Sequence, residues 1–385
     1  MKDRIYLDYA ATTPVSEDVM RAMTPYFRET FGNPSSIHGT GREAHRAVDR
    51  ARKQVAEAIG ANHREIFFTS GGSESDNWAL CGAAFAQRGR GNHIITTAVE
   101  HHAVLNTCRW LEKQGFRVTY LPVDACGRVD PDQAEKAMDE ETVLISVMTA
   151  NNEIGTLEPI REIGEIARRR GVLFHTDAVQ AVGAVPVNVR ETGVDMLSLS
   201  AHKFYGPKGV GALYIREGVR IDSLIHGGEQ EGGLRAGTEN LSGIIGLGEA
   251  IRLAVERMPE NARKTAALRD RLIRGIIERL DGVRLNGHPT ERLPNNCSLS
   301  FRDIEGEALL LRLDLAGIAA SSGSACASGS LEPSHVLTAI GLSPETARGS
   351  LRMTLGAGTT EEEIDEVIRV LPEIVEDLRS MRSRG

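Results

Sequence analysis

Three segments of the chain carry residue types whose chemistry is complementary. Lys203 follows an apolar run and precedes a Gly/Pro-rich turn, in Ser198-Leu199-Ser200-Ala201-His202-Lys203-Phe204-Tyr205-Gly206-Pro207-Lys208-Gly209. An amine part-buried there titrates below the usual lysine range, which suits it for condensation with a carbonyl. Asp177 closes a second apolar run, in His175-Thr176-Asp177-Ala178-Val179-Gln180. A carboxylate in that place either caps the next helix or faces a ligand, because open α/β sheets gather ligands beyond the C-terminal ends of their strands. Phe67-Phe68-Thr69-Ser70-Gly71-Gly72-Ser73-Glu74-Ser75 reads as a strand, a Gly-rich turn and a helix start. Exposed amides and a positive helix end suit a phosphate, although an ordinary tight turn looks much the same. Together the segments offer an anion cradle, an acid at a strand end and an amine. Pyridoxal 5′-phosphate needs those three contacts: an anchor, a partner for the protonated ring nitrogen, and an amine for covalent capture.

A fourth segment holds a thiol. Cys326 lies in Ala319-Ala320-Ser321-Ser322-Gly323-Ser324-Ala325-Cys326-Ala327-Ser328-Gly329-Ser330, among residues too small to build a core around it. Gly and Ser pack poorly, so the thiol is expected on a mobile, exposed loop. The other cysteines, Cys81, Cys108, Cys126 and Cys297, are scattered without metal-ligand spacing and are expected to be part-buried structural thiols. An odd number of thiols with no framework points to a reducing cytoplasm, without disulfides or a zinc site.

These residues must be held by a sheet. Strand-like runs near 65–69, 93–97, 117–123, 143–149 and 172–177 alternate with helical patterns near 42–59, from 73, 103–114 and 160–170. That alternation predicts a mostly parallel sheet wrapped by helices. Two long helical patterns, near 238–256 and 262–280, are expected to follow, with the domain boundary near Met258-Pro259-Glu260 or the helices bridging the two domains without a true linker. Strands and helices then resume through 296–302, 306–315, 351–355 and 361–379 as a smaller α+β unit. The expected domains are 15–258 for the large one and 1–14 with 259–385 for the small one. With 385 residues two domains are reasonable, and a net charge of −8 argues against nucleic acid as a partner. No run approaches the roughly 18–20 apolar residues that span a bilayer, and residues 1–8 lack the apolar stretch of a signal peptide. A cytoplasmic protein with no membrane contact is expected.

In motif order the chain resembles the NifS/IscS-type cysteine desulfurases, which are fold-type I pyridoxal-phosphate enzymes of the class V aminotransferase group. The likeness begins with Tyr6-Leu7-Asp8-Tyr9-Ala10-Ala11-Thr12-Thr13-Pro14 and Phe31-Gly32-Asn33-Pro34-Ser35-Ser36. It runs on through Glu100-His101, Asn151-Asn152-Glu153-Ile154-Gly155, the Asp177 and Lys203 segments, and Arg235-Ala236-Gly237-Thr238-Glu239-Asn240. It ends with the stretch around Cys326 and then Arg352. The resemblance implies that Lys203 carries the cofactor and later moves the Cα proton. Asp177 would pair with the ring nitrogen, Gln180 with the ring hydroxyl, and His101 would stack on the ring and serve catalysis as a proton relay. Gly72, Ser73, Ser200 and His202 would hold the phosphate, with Thr238 reaching in from the second subunit of a homodimer. Asn152 would lie beside the cofactor, and Arg352 would clamp the substrate carboxylate, a task that suits the guanidinium fork.

The implied reaction converts L-cysteine to L-alanine and leaves a persulfide on Cys326. An iron–sulfur scaffold or another sulfur-acceptor protein, including a carrier for tRNA thiolation, would then receive the sulfur. Selenocysteine lyase activity, and a low-activity homologue serving as a docking subunit, are the competing readings. Three positions depart from the family: Glu229 adds an acid, Gly232 replaces a base, and Ala357 stands where an Arg or Lys is usual.

Overall fold

The computed structural model describes residues 4–322 and 333–382. In chain order its strands are β1 (Ile5–Tyr6), β2 (Ile66–Thr69), β3 (His93–Thr97), β4 (Arg117–Leu121), β5 (Thr142–Ser146) and β6 (Leu173–Asp177). They continue with β7 (Met196–Ser200), β8 (Gly211–Ile215), β9 (Val283–Leu285), β10 (Asn296–Phe301), β11 (Ile318–Ala319) and β12 (Ser350–Thr354). Seven of them form one sheet in the order β2-β8-β7-β6-β5-β3-β4. The pairings from β7 through β4 are parallel, whereas β8 runs antiparallel to both β7 and β2. The sheet is thus mixed and mostly parallel, as the alternation of elements predicts.

Helices cover both faces, which is why strands such as β3 and β5 are buried along their whole length. Phe174, Leu197 and Leu199 point into one core, with Val48, Val55 and Ile59 of the helix Gly39–Ile59. That helix stops at Gly60, which takes the left-handed φ of 72° and caps it as expected. On the other face Trp78 and Leu80 of the helix Gly72–Ala86 pack with Met196 and Leu213. Side chains alternate along a strand, so the face that receives Met196 also receives Ser198 and Ser200, and on β6 it receives His175 and Asp177. The polar residues of the site therefore lie under one particular helix, Gly72–Ala86.

β12-β10-β9 form a separate antiparallel sheet, and β1 pairs with β11. Their core unites Leu7, Leu299, Phe301, Leu309, Leu351 and Leu371. In place of two helices, one runs from Leu241 to Ile277 with Pro259 inside it. Its first half buries Leu247 and Ile251 in the large core, and its second half buries Leu268, Leu272 and Ile276 in the small one. Packing at both ends outweighs the roughly 3 kcal/mol that an interior proline costs.

One buried ion pair ties a glycine-rich segment to the sheet edge. Glu231, at φ 48°, receives Arg52 Nη1 and Nη2 at 2.6 and 2.8 Å and the Phe68 amide at 2.9 Å. Glu231→Ala strands Arg52 in a poorly solvated place and is expected to lower unfolding free energy by about 3–5 kcal/mol. Urea unfolding measures this, and a loss below about 1 kcal/mol would show that the pair is effectively solvated.

Candidate active site

Strand direction brings the candidate residues to one edge. β8 reverses relative to β7 and β2 reverses relative to β8, so β2 ends at the same edge as β6 and β7. The Gly71-Gly72 turn, Asp177 and the turn Ala201–Lys203 therefore face one crevice, as expected beyond the C-terminal ends of such strands. A cavity of about 350 Å³ opens there. Of the residues singled out in the sequence, Gly72, Ser73, His101, Asn152, Asp177, Gln180, Ser200, His202, Lys203 and Arg352 line it. Thr238 does not: it is exposed and is not among the lining residues of its own chain. Cys326 lies outside the described residues.

The backbone is shaped for close approach at the turn. Gly71 has φ 151°, and a Cβ on Gly72 would meet Val179 Cγ2 at 2.7 Å. Lys203 Nζ donates to the carbonyls of Ala10 and Ala11, the latter at 2.9 Å, so the N-terminal segment forms one wall. Gln180 Nε2 donates to Ala10 O at 3.0 Å. His101 caps the helix His102–Lys113, its Nδ1 accepting from the Ala103 amide at 3.1 Å. In the neutral ring this places the proton on Nε2. Arg352, on β12, is held by Asp8 at 2.9 Å and by the Asn152 carbonyl at 3.0 Å, while its Nε finds no partner among the described residues.

Burial dominates the electrostatics. It pushes the Asp177 carboxyl up, against the opposing pull of His101, of the Val179 amide and of Lys203. It pushes His101 down, and it takes His202 down to about 4, with Lys203 and Lys208 adding to the effect. His202 is accordingly neutral at pH 7 and can act as a hydrogen-bond donor without adding charge. Among the described thiols, burial raises Cys81 to about 11 and Cys297 to about 12, and pushes Cys108 up as well. None of those three offers a thiolate near neutral pH.

The flanks of the segment that carries Cys326 are tied to the cavity walls. Ser321 exchanges two backbone hydrogen bonds with Arg352, and Ser334 donates to the buried Glu153 carboxylate. His335 Nε2 lies 3.0 Å from the Glu100 carbonyl. Glu153 and Asp76 both line the cavity, yet sequence reasoning gave neither a role. The one available signal was the position of Glu153 inside the Asn151–Gly155 motif. The departures at 229 and 232 also find a place. Glu229 is exposed, and Gly232 sits at φ 68°, which glycine adopts without a steric penalty.

Burial pushes Glu153 up to about 7, with Ser334 and Arg352 opposing it. Between the ordinary carboxylate range and that value the unfolded chain is ionised at this position while the folded chain keeps the proton. Stability therefore falls across that window as pH rises and levels off above it. Glu153→Gln removes the titration, so the variant gains on the native chain between pH 5 and 8, by on the order of 3 kcal/mol. Urea unfolding at the two pH values reads the gain; an unchanged gap would place the carboxylate in contact with water.

The aminotransferase class-V family model matches residues 5–367. The chain is 58% identical over 377 residues to a cysteine desulfurase IscS of Methanosarcina thermophila, a match covering 98% of this chain and 93% of that one. A solved NifS-like protein superposes with a TM-score of 0.92 at 42% identity, over 97% of this chain and 100% of its own. A structure described as SspA in complex with cysteine superposes with a TM-score of 0.82 at 40% identity, over 92% of this chain and 100% of that one. The chain belongs to the class-V aminotransferase family, among its IscS-type cysteine desulfurases.

Proposed function

We propose that the chain takes sulfur from L-cysteine onto Cys326 as a persulfide and releases L-alanine, with pyridoxal 5′-phosphate held at the sheet edge. One observation carries this reading: Lys203, Asp177, His101 and Arg352 line the same cavity. Its relatives' names and the family's dependence on that cofactor point the same way. The residues present fit the group. The close approach at Gly72 makes a backbone cradle for a phosphate, with the hydroxyls of Ser73 and Ser200 and the neutral His202 beside it. Asp177 is a buried acid for the ring nitrogen, and Gln180 is within the same lining for the ring hydroxyl.

When bound, the cofactor supplies an electron sink for the carbon that loses its proton. Lys203, held by two backbone carbonyls, provides the amine that attaches the cofactor and later moves the substrate Cα proton. Arg352, already fixed by Asp8 and Asn152, receives the substrate carboxylate. The Cys326 thiolate attacks the substrate sulfur: an S–S bond forms, the C–S bond breaks, and the carbon keeps the electron pair and takes a proton. The balance is cysteine plus thiol giving alanine plus persulfide. The tethered flanks at Ser321 and Ser334 support the delivery of this thiol to the cavity.

Thr238, exposed on its own chain, fits a homodimer in which it reaches the neighbouring cofactor. The two apolar cores support the division into 15–258 and 1–14 with 259–385. Among the described residues no helix is long and apolar enough to cross a membrane. A cytoplasmic enzyme that passes its sulfur to an iron–sulfur scaffold or another acceptor protein fits these features.

Lys203→Ala is expected to lose covalent attachment of the cofactor, seen as the loss of the visible absorbance that native protein shows. Cys326→Ala is expected to keep that absorbance while persulfide formation from L-cysteine falls by at least about 100-fold. Intact turnover in either variant contradicts the assignment. Alanine formed from L-selenocysteine but not from L-cysteine would favour the lyase reading instead.

A further inference from the structure

Asp76 lines the cavity and has no part in the reading above. It lies on the helix Gly72–Ala86, one turn beyond the Gly71-Gly72 cradle, and is 1% exposed. Its Oδ1 has no hydrogen-bond partner among the described residues. One atom each of Asp76, His101 and Asp177 lies within 4.8 Å of the other two. Two carboxylates that close, out of water, do not both ionise; one proton stays with the pair.

The surroundings decide which acid keeps it. Asp177 and His175 face Asp76 from β6, Ser198 from β7, and Glu100 and His101 from the loop after β3. Asp177 Oδ1 accepts from the Val179 amide at 2.9 Å, and both His101 and Lys203 favour its charged form. Among the described residues Asp76 has only the Ser198 hydroxyl in its favour. His175 does not help it: its Nε2 stands 3.7 Å from Asp76 Oδ1 and is already 2.9 Å from Ser198 Oγ, while its Nδ1 meets Ser146 Oγ at 2.9 Å. Burial takes His175 down to about 3, so it brings no positive charge. Glu100, also buried, is itself pushed toward its protonated form, and any charge it does carry disfavours an ionised Asp76. An ionised Asp76 would leave Oδ1 as an unpaired buried anion, whereas a protonated one makes it a donor.

We propose that Asp76 is a positioning residue that keeps the proton of an Asp76–Asp177 acid pair and donates it in a hydrogen bond toward Asp177, so that Asp177 alone faces the cofactor as an anion. This rests on the cofactor reading above. Asp76 touches no reacting atom; it acts by fixing the charge and orientation of Asp177. Without it Asp177 loses a neutral side-chain donor and holds a ring proton less firmly.

The test compares holoenzyme with Asp76→Asn and Asp76→Ala by titrating the visible absorbance of the bound cofactor with pH and by measuring cofactor dissociation. Asn keeps a neutral donor, so its titration midpoint and affinity are expected to match native protein. Ala has none, so its midpoint is expected to move by about one unit or more, with about tenfold weaker cofactor binding. Asp76→Leu takes the same measurement if the Ala variant does not fold. An Asn variant shifted as far as Ala would show that Asp76 acts as an anion, and unshifted Ala and Leu variants would make it a bystander. Either result overturns the inference and leaves the cofactor reading intact. Native protein that takes up no cofactor would overturn both.

Discussion

The register between β6 and β7 is the constraint on which the site depends. His175 stands opposite Met196, Thr176 opposite Leu197, and Asp177 opposite Ser198. A slip of one residue would turn Asp177 to the face that packs on the helix Gly39–Ile59 and bring Thr176 to the cavity. The register is held by apolar residues, since Phe174, Leu197 and Leu199 all fill the first core. Placement of the chemistry thus follows from burial of its neighbours. The antiparallel strand β8 does the remaining work by returning β2, and with it the Gly71-Gly72 turn, to the same edge.

Crowding polar groups beneath a helix has an electrostatic cost, and the chain meets it by neutralising most of them. His175 and His202 are driven to the neutral form by burial. Glu100, Glu153 and Asp76 are pushed toward their protonated forms. What remains charged is paired: Arg352 with Asp8, and Arg235 with Glu74 at the exposed side of the cradle. A site in which few groups carry charge leaves those few, Arg352 among them, with more influence on whatever enters.

Much of this was legible beforehand, for particular reasons. Asp177 and Lys203 announce themselves because each follows an apolar strand, and Gly71-Gly72 because the turn joins a strand to a helix. Asp76 did not, since its meaning depends on how the helix Gly72–Ala86 docks over β6 and β7. Glu153 was likewise hidden, because its partner Ser334 lies 181 residues further along the chain. The continuity of the long helix was hidden for a related reason: two helical patterns merge because packing against two cores carries the helix through Pro259. The N-terminal motif Tyr6–Pro14 carries no local sign of its physical use, which is that the carbonyls of Ala10 and Ala11 hold Lys203.

The central claim is that this edge of the sheet holds a cofactor through one particular amine. Reducing the cofactor-loaded protein with borohydride and mapping the modified peptide by mass spectrometry tests it directly. The account predicts the pyridoxyl-phosphate mass on Lys203. Modification at Lys208 or another lysine, or no modified peptide from protein that shows the cofactor's visible absorbance, would contradict it.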